Sequence, residues 1–221
     1  MEVWAVIYKP ALFSEELYQN ALQLMDTAIQ KIPGLDPPIA YNISHDNALI
    51  AMAFAPGIHY PPAFSVGIDV MKVRIPGRDT FASFVESVRD QLTAFEHQSL
   101  FSGISQDESL RRFFWMWTMK EAYTKALGLG LGFDFRRIEY DVVGNALRVD
   151  GEIPLGWRFS KFVLDDEEDL YEGVVAEFVG GTVTEIHRES LQADWVQLHK
   201  ARDFVEKVIH DLGVQRSESN P

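Results

Sequence analysis

Strand-like apolar runs and helix-spaced segments succeed one another along the chain, separated by Pro, Gly and Asp clusters. Trp4 to Tyr8 is a β-branched and aromatic run ended by Lys9-Pro10, which predicts an opening strand. Ser14-Glu15-Glu16 then predicts a capped helix through Ile29, stopped at Pro33-Gly34, with Lys31 to Pro38 as a loop. Ile39 to Ile43 and Ala48 to Ala55 flank the polar stretch Ser44-His45-Asp46-Asn47, a pattern that predicts a hairpin around a turn. Pro56 to Pro62 combines helix breakers and turn formers directly before a new apolar strand at Phe64 to Ile68, and is the best candidate linker.

Beyond it, Val66-Gly67-Ile68-Asp69-Val70 leads into a loop at Pro76-Gly77-Arg78-Asp79 and helix-like sequence from Thr80 to about Phe95. The strongest helical pattern begins near Asp107, runs through Leu110, Phe113, Phe114, Trp117, Ala122 and Ala126, and stops at Gly128. It reads as one packed face and one exposed face. Phe135 to Val143, Ala146 to Val149, Trp157 to Leu164 and Tyr171 to Phe178 read as strands of an antiparallel meander, giving an α+β class. Leu191 to Leu212 reads as a terminal helix and Gly213 to Pro221 as a loose polar tail. The expected organisation is residues 1–62 as an N-terminal lobe with linker, 63–212 as a C-terminal lobe, and 213–221 as the tail.

Composition narrows the chemistry. At 221 residues the chain buries roughly 70% of its extended surface on folding, enough for a full core. Twenty Lys and Arg against 33 Asp and Glu give a formal charge of −13, which disfavours a broad grip on nucleic acid or an anionic membrane and leaves room only for local basic patches. The absence of Cys removes disulfides, thiolate nucleophiles and thiolate metal sites, so a metal would need oxygen or imidazole ligands. No signal-like start and no run approaching a spanning helix is present, and the expected location is the cytoplasm.

Three segments carry candidate chemistry. Asp69 follows a short strand and Gly67, a placement that suits a metal ligand as well as a turn or helix-cap aspartate. Glu121 and Lys125, within Trp117-Thr118-Met119-Lys120-Glu121-Ala122-Tyr123-Thr124-Lys125, share a helix face and taken alone read as an i,i+4 ion pair. Gly128-Leu129-Gly130-Leu131-Gly132 follows, spaced for close packing or for backbone contact with a phosphate, without a full dinucleotide or Walker pattern. Asn42-Ile43-Ser44-His45 offers an amide, a hydroxyl and an imidazole for phosphate recognition or for fixing another side chain. Ser44-His45 lacks the company of a hydrolytic triad, and His59, His97, His187, His199 and His210 are scattered.

In combination, Asn42-Ile43-Ser44-His45, Val66-Gly67-Ile68-Asp69-Val70-Met71 and Trp117 through Gly128 resemble the ordered signature of the surfactin-synthetase-activator type of 4'-phosphopantetheinyl transferase. The resemblance is greatest to the eukaryotic aminoadipate-semialdehyde-dehydrogenase phosphopantetheinyl transferases and runs from about Ile39 through Phe178, including Pro76-Gly77-Arg78 and Gly128 to Phe133. It implies a pseudo-symmetric two-lobed α+β fold, here with a shortened first lobe, holding coenzyme A as co-substrate and Mg²⁺. It further implies transfer of phosphopantetheine to a serine of an apo acyl or peptidyl carrier protein, leaving adenosine 3',5'-bisphosphate. By the same resemblance, Asp69 and Glu121 match the acidic metal ligands, and Glu121 also matches the group that assists deprotonation of the serine. Lys125 matches the pyrophosphate contact, Ser44 and His45 the coenzyme-binding turn, and Lys120 an additional phosphate or carrier contact.

Met71 stands where bacterial relatives often place a further acid, and Asp46 beside His45 offers a substitute. Only two Lys or Arg, Lys9 and Lys31, precede Asn42, so a noncatalytic coenzyme- or carrier-binding module is the competing reading. Arg74, Arg78, Arg111 and Arg112 are candidates for a local patch that meets an acidic carrier. Carriers of fatty-acid, polyketide, nonribosomal-peptide and lysine biosynthesis, an aminoadipate reductase among them, are the expected partners of a monomeric enzyme.

Overall fold

The computed structural model describes residues 1–7, 20, 39–56, 66–166, 168–190 and 195–218. Among them are strands β1 (Glu2–Ile7), β2 (Ile39–Asp46), β3 (Leu49–Pro56) and β4 (Val66–Lys72). Helices α1 (Phe81–Ser87), α2 (Ala94–Leu100) and α3 (Gln106–Ala126) follow. Then come β5 (Ile138–Asp141), β6 (Ala146–Val149), β7 (Trp157–Asp165), β8 (Leu170–Phe178), β9 (Glu185–Ser190), β10 (Val196–Lys200) and helix α4 (Ala201–Glu218). Apart from Asn20, the helix expected at Ser14 to Ile29 lies outside the described residues, as does most of the linker expected at Pro56 to Pro62.

The first sheet has the order β10-β1-β3-β2. Its hairpin turns at Asn47-Ala48 rather than across Ser44 to Asn47: β2 continues to Asp46, and Asn47 takes φ 49°, a conformation Asn tolerates better than most residues. Val3 and Ala5 of β1 and Leu49, Ala51 and Ala53 of β3 alternate onto one buried face. The terminal segment differs from expectation. Val196–Lys200 is a strand parallel to β1, with Val3 facing Val196, and the helix starts only at Ala201. That helix runs through Glu218, which replaces a loose tail over residues 213–218. Because β10 closes the edge of the first sheet, the N-terminal lobe is not confined to residues 1–62.

The second sheet has the order β4-β8-β7-β9. Strand β9, polar and without a sequence forecast, pairs parallel to β7, while β5 and β6 form a separate hairpin instead of extending a meander. The helix expected over residues 80–95 is broken, because Thr93 and Glu96 form a reciprocal capping box that starts α2 afresh. Helix α3 opens on Ser105, whose side chain accepts from Glu108 N, and ends where Gly128 takes φ 72°. It lies across β4 and β8 with α2 and β5 over it, so residues 113–116 and 118–124 are buried and no continuous face is left exposed.

Strand β4 divides two cores. Val66, Ile68 and Val70 face Val3, Ala5, Ala51 and Ala53 of the first sheet, together with Phe162, Tyr171 and Val175 of the second. On its other side Met71 packs into the α3 core with Phe113, Met119, Val174 and Ala176. The facing edges of the two sheets are joined by side chains. The outward N–H groups of Ile68, Val70 and Lys72 on β4 donate to Asn42 Oδ1 (3.0 Å), Ser44 Oγ (3.3 Å) and Asp46 Oδ2 (2.7 Å) of β2. From Asn42 onward, every second side chain of β2 thereby accepts a bond that a neighbouring strand's carbonyl would otherwise take.

Candidate active site

Gly67 brings the site together. A Cβ there would lie 2.0 Å from the carbonyl oxygen of Ala122 and 2.4 Å from the backbone N of Ala126, so only glycine lets α3 settle onto β4 at this point. Two residues further along the same face of β4, Asp69 meets the side chains of that same helical turn. Lys125 Nζ donates to Asp69 Oδ1 (2.7 Å), to Ser44 Oγ (3.2 Å) and to the carbonyl of Ile68 (3.1 Å). Ser44 Oγ also donates to Asp69 Oδ1, at 2.9 Å. The other carboxylate oxygen, Asp69 Oδ2, is buried without a hydrogen-bond partner.

Burial pushes the Asp69 carboxyl above the ordinary aspartate range even though Lys125 pulls it down. Glu121, buried on the adjoining face of α3, is raised by burial and then by the Asp69 charge, with Lys125 opposing. Two carboxyls thus share one partly exposed ammonium, and one of their oxygens is orphaned. An all-oxygen donor set short of positive charge fits a hard divalent cation. Among the described residues no group of three or more His, Asp or Glu gathers, so phosphate and water oxygens would complete such a coordination sphere.

The remaining sequence candidates divide sharply. Lys120 is not available to a phosphate or a carrier: its side chain is 0% exposed, and Nζ donates to Glu96 Oε2 (2.6 Å) and to the carbonyls of Gln91 and Phe135. Glu96, equally sealed, also accepts from the N–H groups of Thr93 and Tyr140. Ser44 is buried on a strand rather than presented by a turn, whereas His45, its neighbour on the opposite face, is exposed. Asp46 is engaged by the Lys72 N–H at the joint and is no substitute ligand beside Asp69.

Arg74 and Arg78 are exposed, while Arg111 pairs with Glu172 and Arg112 with Glu108 around a different, smaller cavity, so the four do not make one patch. Arg74 borders a groove of about 540 Å³ that starts at Asp46 and Met71 and is walled by Phe84, Phe113 and Trp117. Sequence reasoning missed Glu96, which only folding brings to Lys120. It also missed the joint, whose signal was present as polar side chains at every second position, Asn42, Ser44 and Asp46.

Comparison with known proteins bears on this geometry. The 4'-phosphopantetheinyl transferase superfamily profile matches residues 65–176, the half of the chain that holds Asp69, Glu121 and Lys125. The chain belongs to that superfamily. Over 96% of its length this phosphopantetheinyl transferase is 39% identical to the 4'-phosphopantetheinyl transferase pptA of Paxillus involutus, all of which is covered. That comparison runs over 267 positions, more than the 221 residues here, so the fungal relative carries stretches with no counterpart in this chain. It is 30% identical to the L-aminoadipate-semialdehyde dehydrogenase-phosphopantetheinyl transferase of Mus musculus over 59% of the chain, and 32% identical to that of Xenopus laevis over 61%. The chain spans only 44% and 41% of those two animal proteins. As a member of the superfamily, the transferase moves 4'-phosphopantetheine from coenzyme A to a carrier protein. No described helix is long and apolar enough to cross a membrane.

Proposed function

We propose that this transferase works through Asp69, Glu121 and Lys125, with Asp69 and Glu121 holding a Mg²⁺ ion. The observation that carries the reading is that Lys125 bonds one oxygen of Asp69, Glu121 feels both of their charges, and the other Asp69 oxygen has no partner among the described residues. When bound, Mg²⁺ would neutralise pyrophosphate oxygens of coenzyme A and stabilise the charge that develops on the leaving phosphate. Lys125, 24% exposed at the side chain, would release one of the three acceptors its ammonium holds in order to bind a pyrophosphate oxygen. Glu121 would also take the proton of the incoming serine hydroxyl. Serine Oγ then bonds to the β-phosphorus, the bond from that phosphorus to the bridging oxygen breaks, and adenosine 3',5'-bisphosphate leaves.

His45, exposed on the face of β2 opposite Ser44, would contact the 3'-phosphate. The groove beyond Met71 suits the pantetheine arm, because apolar walls of Phe84, Phe113 and Trp117 accept its methyl and methylene groups and Arg74 stands at the rim. The carrier is an acyl or peptidyl carrier protein with an acidic surface around its serine. An aminoadipate reductase is one candidate, given the name that the animal relatives carry, and carriers of fatty-acid synthesis are another. The enzyme works as a monomer in the cytoplasm.

The decisive assay incubates the protein with coenzyme A, Mg²⁺ and an apo-carrier protein and follows carrier mass. The expected result is a gain of one phosphopantetheine group, abolished by chelation and reduced at least about a hundredfold in Glu121→Gln. Undiminished transfer by Glu121→Gln would remove the carboxylate from the mechanism.

A further inference from the structure

Ser44 belongs to the segment for which the resemblance implies contact with coenzyme A, yet the structure uses it differently. A serine hydroxyl has one proton to donate and two lone pairs to accept with. At Ser44 the proton goes to Asp69 Oδ1 (2.9 Å), and the lone pairs take the Val70 N–H (3.3 Å) and Lys125 Nζ (3.2 Å). The residue is 5% exposed. A phosphate, which only accepts when fully ionised, could be served by this hydroxyl only if the bond to Asp69 were broken.

We infer that Ser44 is a positioning residue for the Asp69 carboxylate: with Lys125 it saturates Oδ1 and leaves Oδ2 alone for a cation. The inference rests on the proposed metal role of Asp69. A carboxylate free to rotate offers either oxygen or both, and fixing one oxygen with two donors removes that freedom before the ligand arrives. The device crosses the joint between the sheets. Ser44 stands on β2 and Asp69 on β4, and the Asn42 and Asp46 bonds to Ile68 and Lys72 on either side hold the two strands in register. Seating of the first sheet against the second therefore also sets the aim of the ligand.

The test measures Mn²⁺ binding to the full chain by electron paramagnetic resonance without coenzyme A, using the wild type, Ser44→Ala and Asp69→Asn. Ser44→Ala should bind Mn²⁺ at least about tenfold more weakly, and its KM for coenzyme A at saturating metal should stay within about threefold of wild type. Ser44→Thr, which keeps the hydroxyl, should recover most of the affinity. Should Ser44→Ala not be obtained folded, Ser44→Cys removes the strong donor at nearly the same volume and carries the same expectation. Wild-type Mn²⁺ affinity in the folded Ala or Cys variant, with or without a raised KM for coenzyme A, overturns the inference while the metal role of Asp69 stands. Unaltered Mn²⁺ binding by Asp69→Asn would instead sink the metal role, and the positioning role with it.

Discussion

Two lysines leave α3 five residues apart, each to meet a carboxylate from a distant part of the chain, and their surroundings are opposite. Lys120 and Glu96 are both 0% exposed. Between them they satisfy two carbonyls and two backbone N–H groups, from Gln91, Phe135, Thr93 and Tyr140. Burial pushes Glu96 up and Lys120 down, and their pairing opposes both shifts. Lys125 and Asp69 are 24% and 6% exposed, and Asp69 retains an oxygen that nothing among the described residues satisfies. The first pair has its polar groups matched and ties α2, α3 and β5 together. The second is left incomplete beside another carboxyl, Glu121, and that incompleteness is what a cation and a pyrophosphate can use.

The comparison is broken most forcefully at the sealed pair. Lys120→Met leaves Glu96 buried without its cation and should cost about 3–5 kcal/mol of stability in urea unfolding. The double variant Lys120→Met, Glu96→Leu should recover a substantial part of that loss, and an unchanged loss would mean that the remaining partners, not the charge, set the cost.

Lys125→Met reverses the balance. Its side chain is partly exposed and the Asp69 carboxyl, already raised, takes up a proton more readily, so the stability loss should be less than about half that of Lys120→Met. Transfer should nevertheless fall about a hundredfold when carrier mass is followed. Equal stability losses in the two variants would erase the distinction.

The smallest effect is in pH. The raised carboxyls of Asp69 and Glu121 keep their protons to higher pH than ordinary carboxyls in the metal-free protein, and a bound cation requires them ionised, so the cation competes with protons. The rise in Tm produced by Mg²⁺ should therefore shrink as pH falls from about 7 to about 5, starting above the range of ordinary carboxylates. A Mg²⁺-induced shift that is constant over that interval would place the ion on other groups.

Much of the site was legible in the chain. Asp69, Glu121 and Lys125 stand in motifs specific enough to indicate a transferase, and the stop of α3 at Gly128 follows from local chemistry. Burial was not legible. Lys120 and Lys125 sit in one charged stretch of one helix, and nothing within eight residues says that only the first meets Glu96. The i,i+4 reading of Glu121 with Lys125 was local, whereas the bond that Lys125 makes to Asp69 crosses 56 positions. Strand β10 was hidden for a similar reason: Val196 to Lys200 continues into a helical pattern, and only the open edge of β1 makes it a strand.

The sequence by itself determined the residue types of the candidate site, the helix that carries two of them, and the hairpin that carries Ser44 and His45. These depend on side-chain chemistry and on spacings of a few residues, which the chain states directly. The tertiary structure decided which charges are sealed and which are left open, that β10 belongs to the first sheet, and that Asn42, Ser44 and Asp46 stitch β2 to β4. Those outcomes depend on desolvation and on partners tens of residues away, and desolvation acts on a group only once the fold has put something over it.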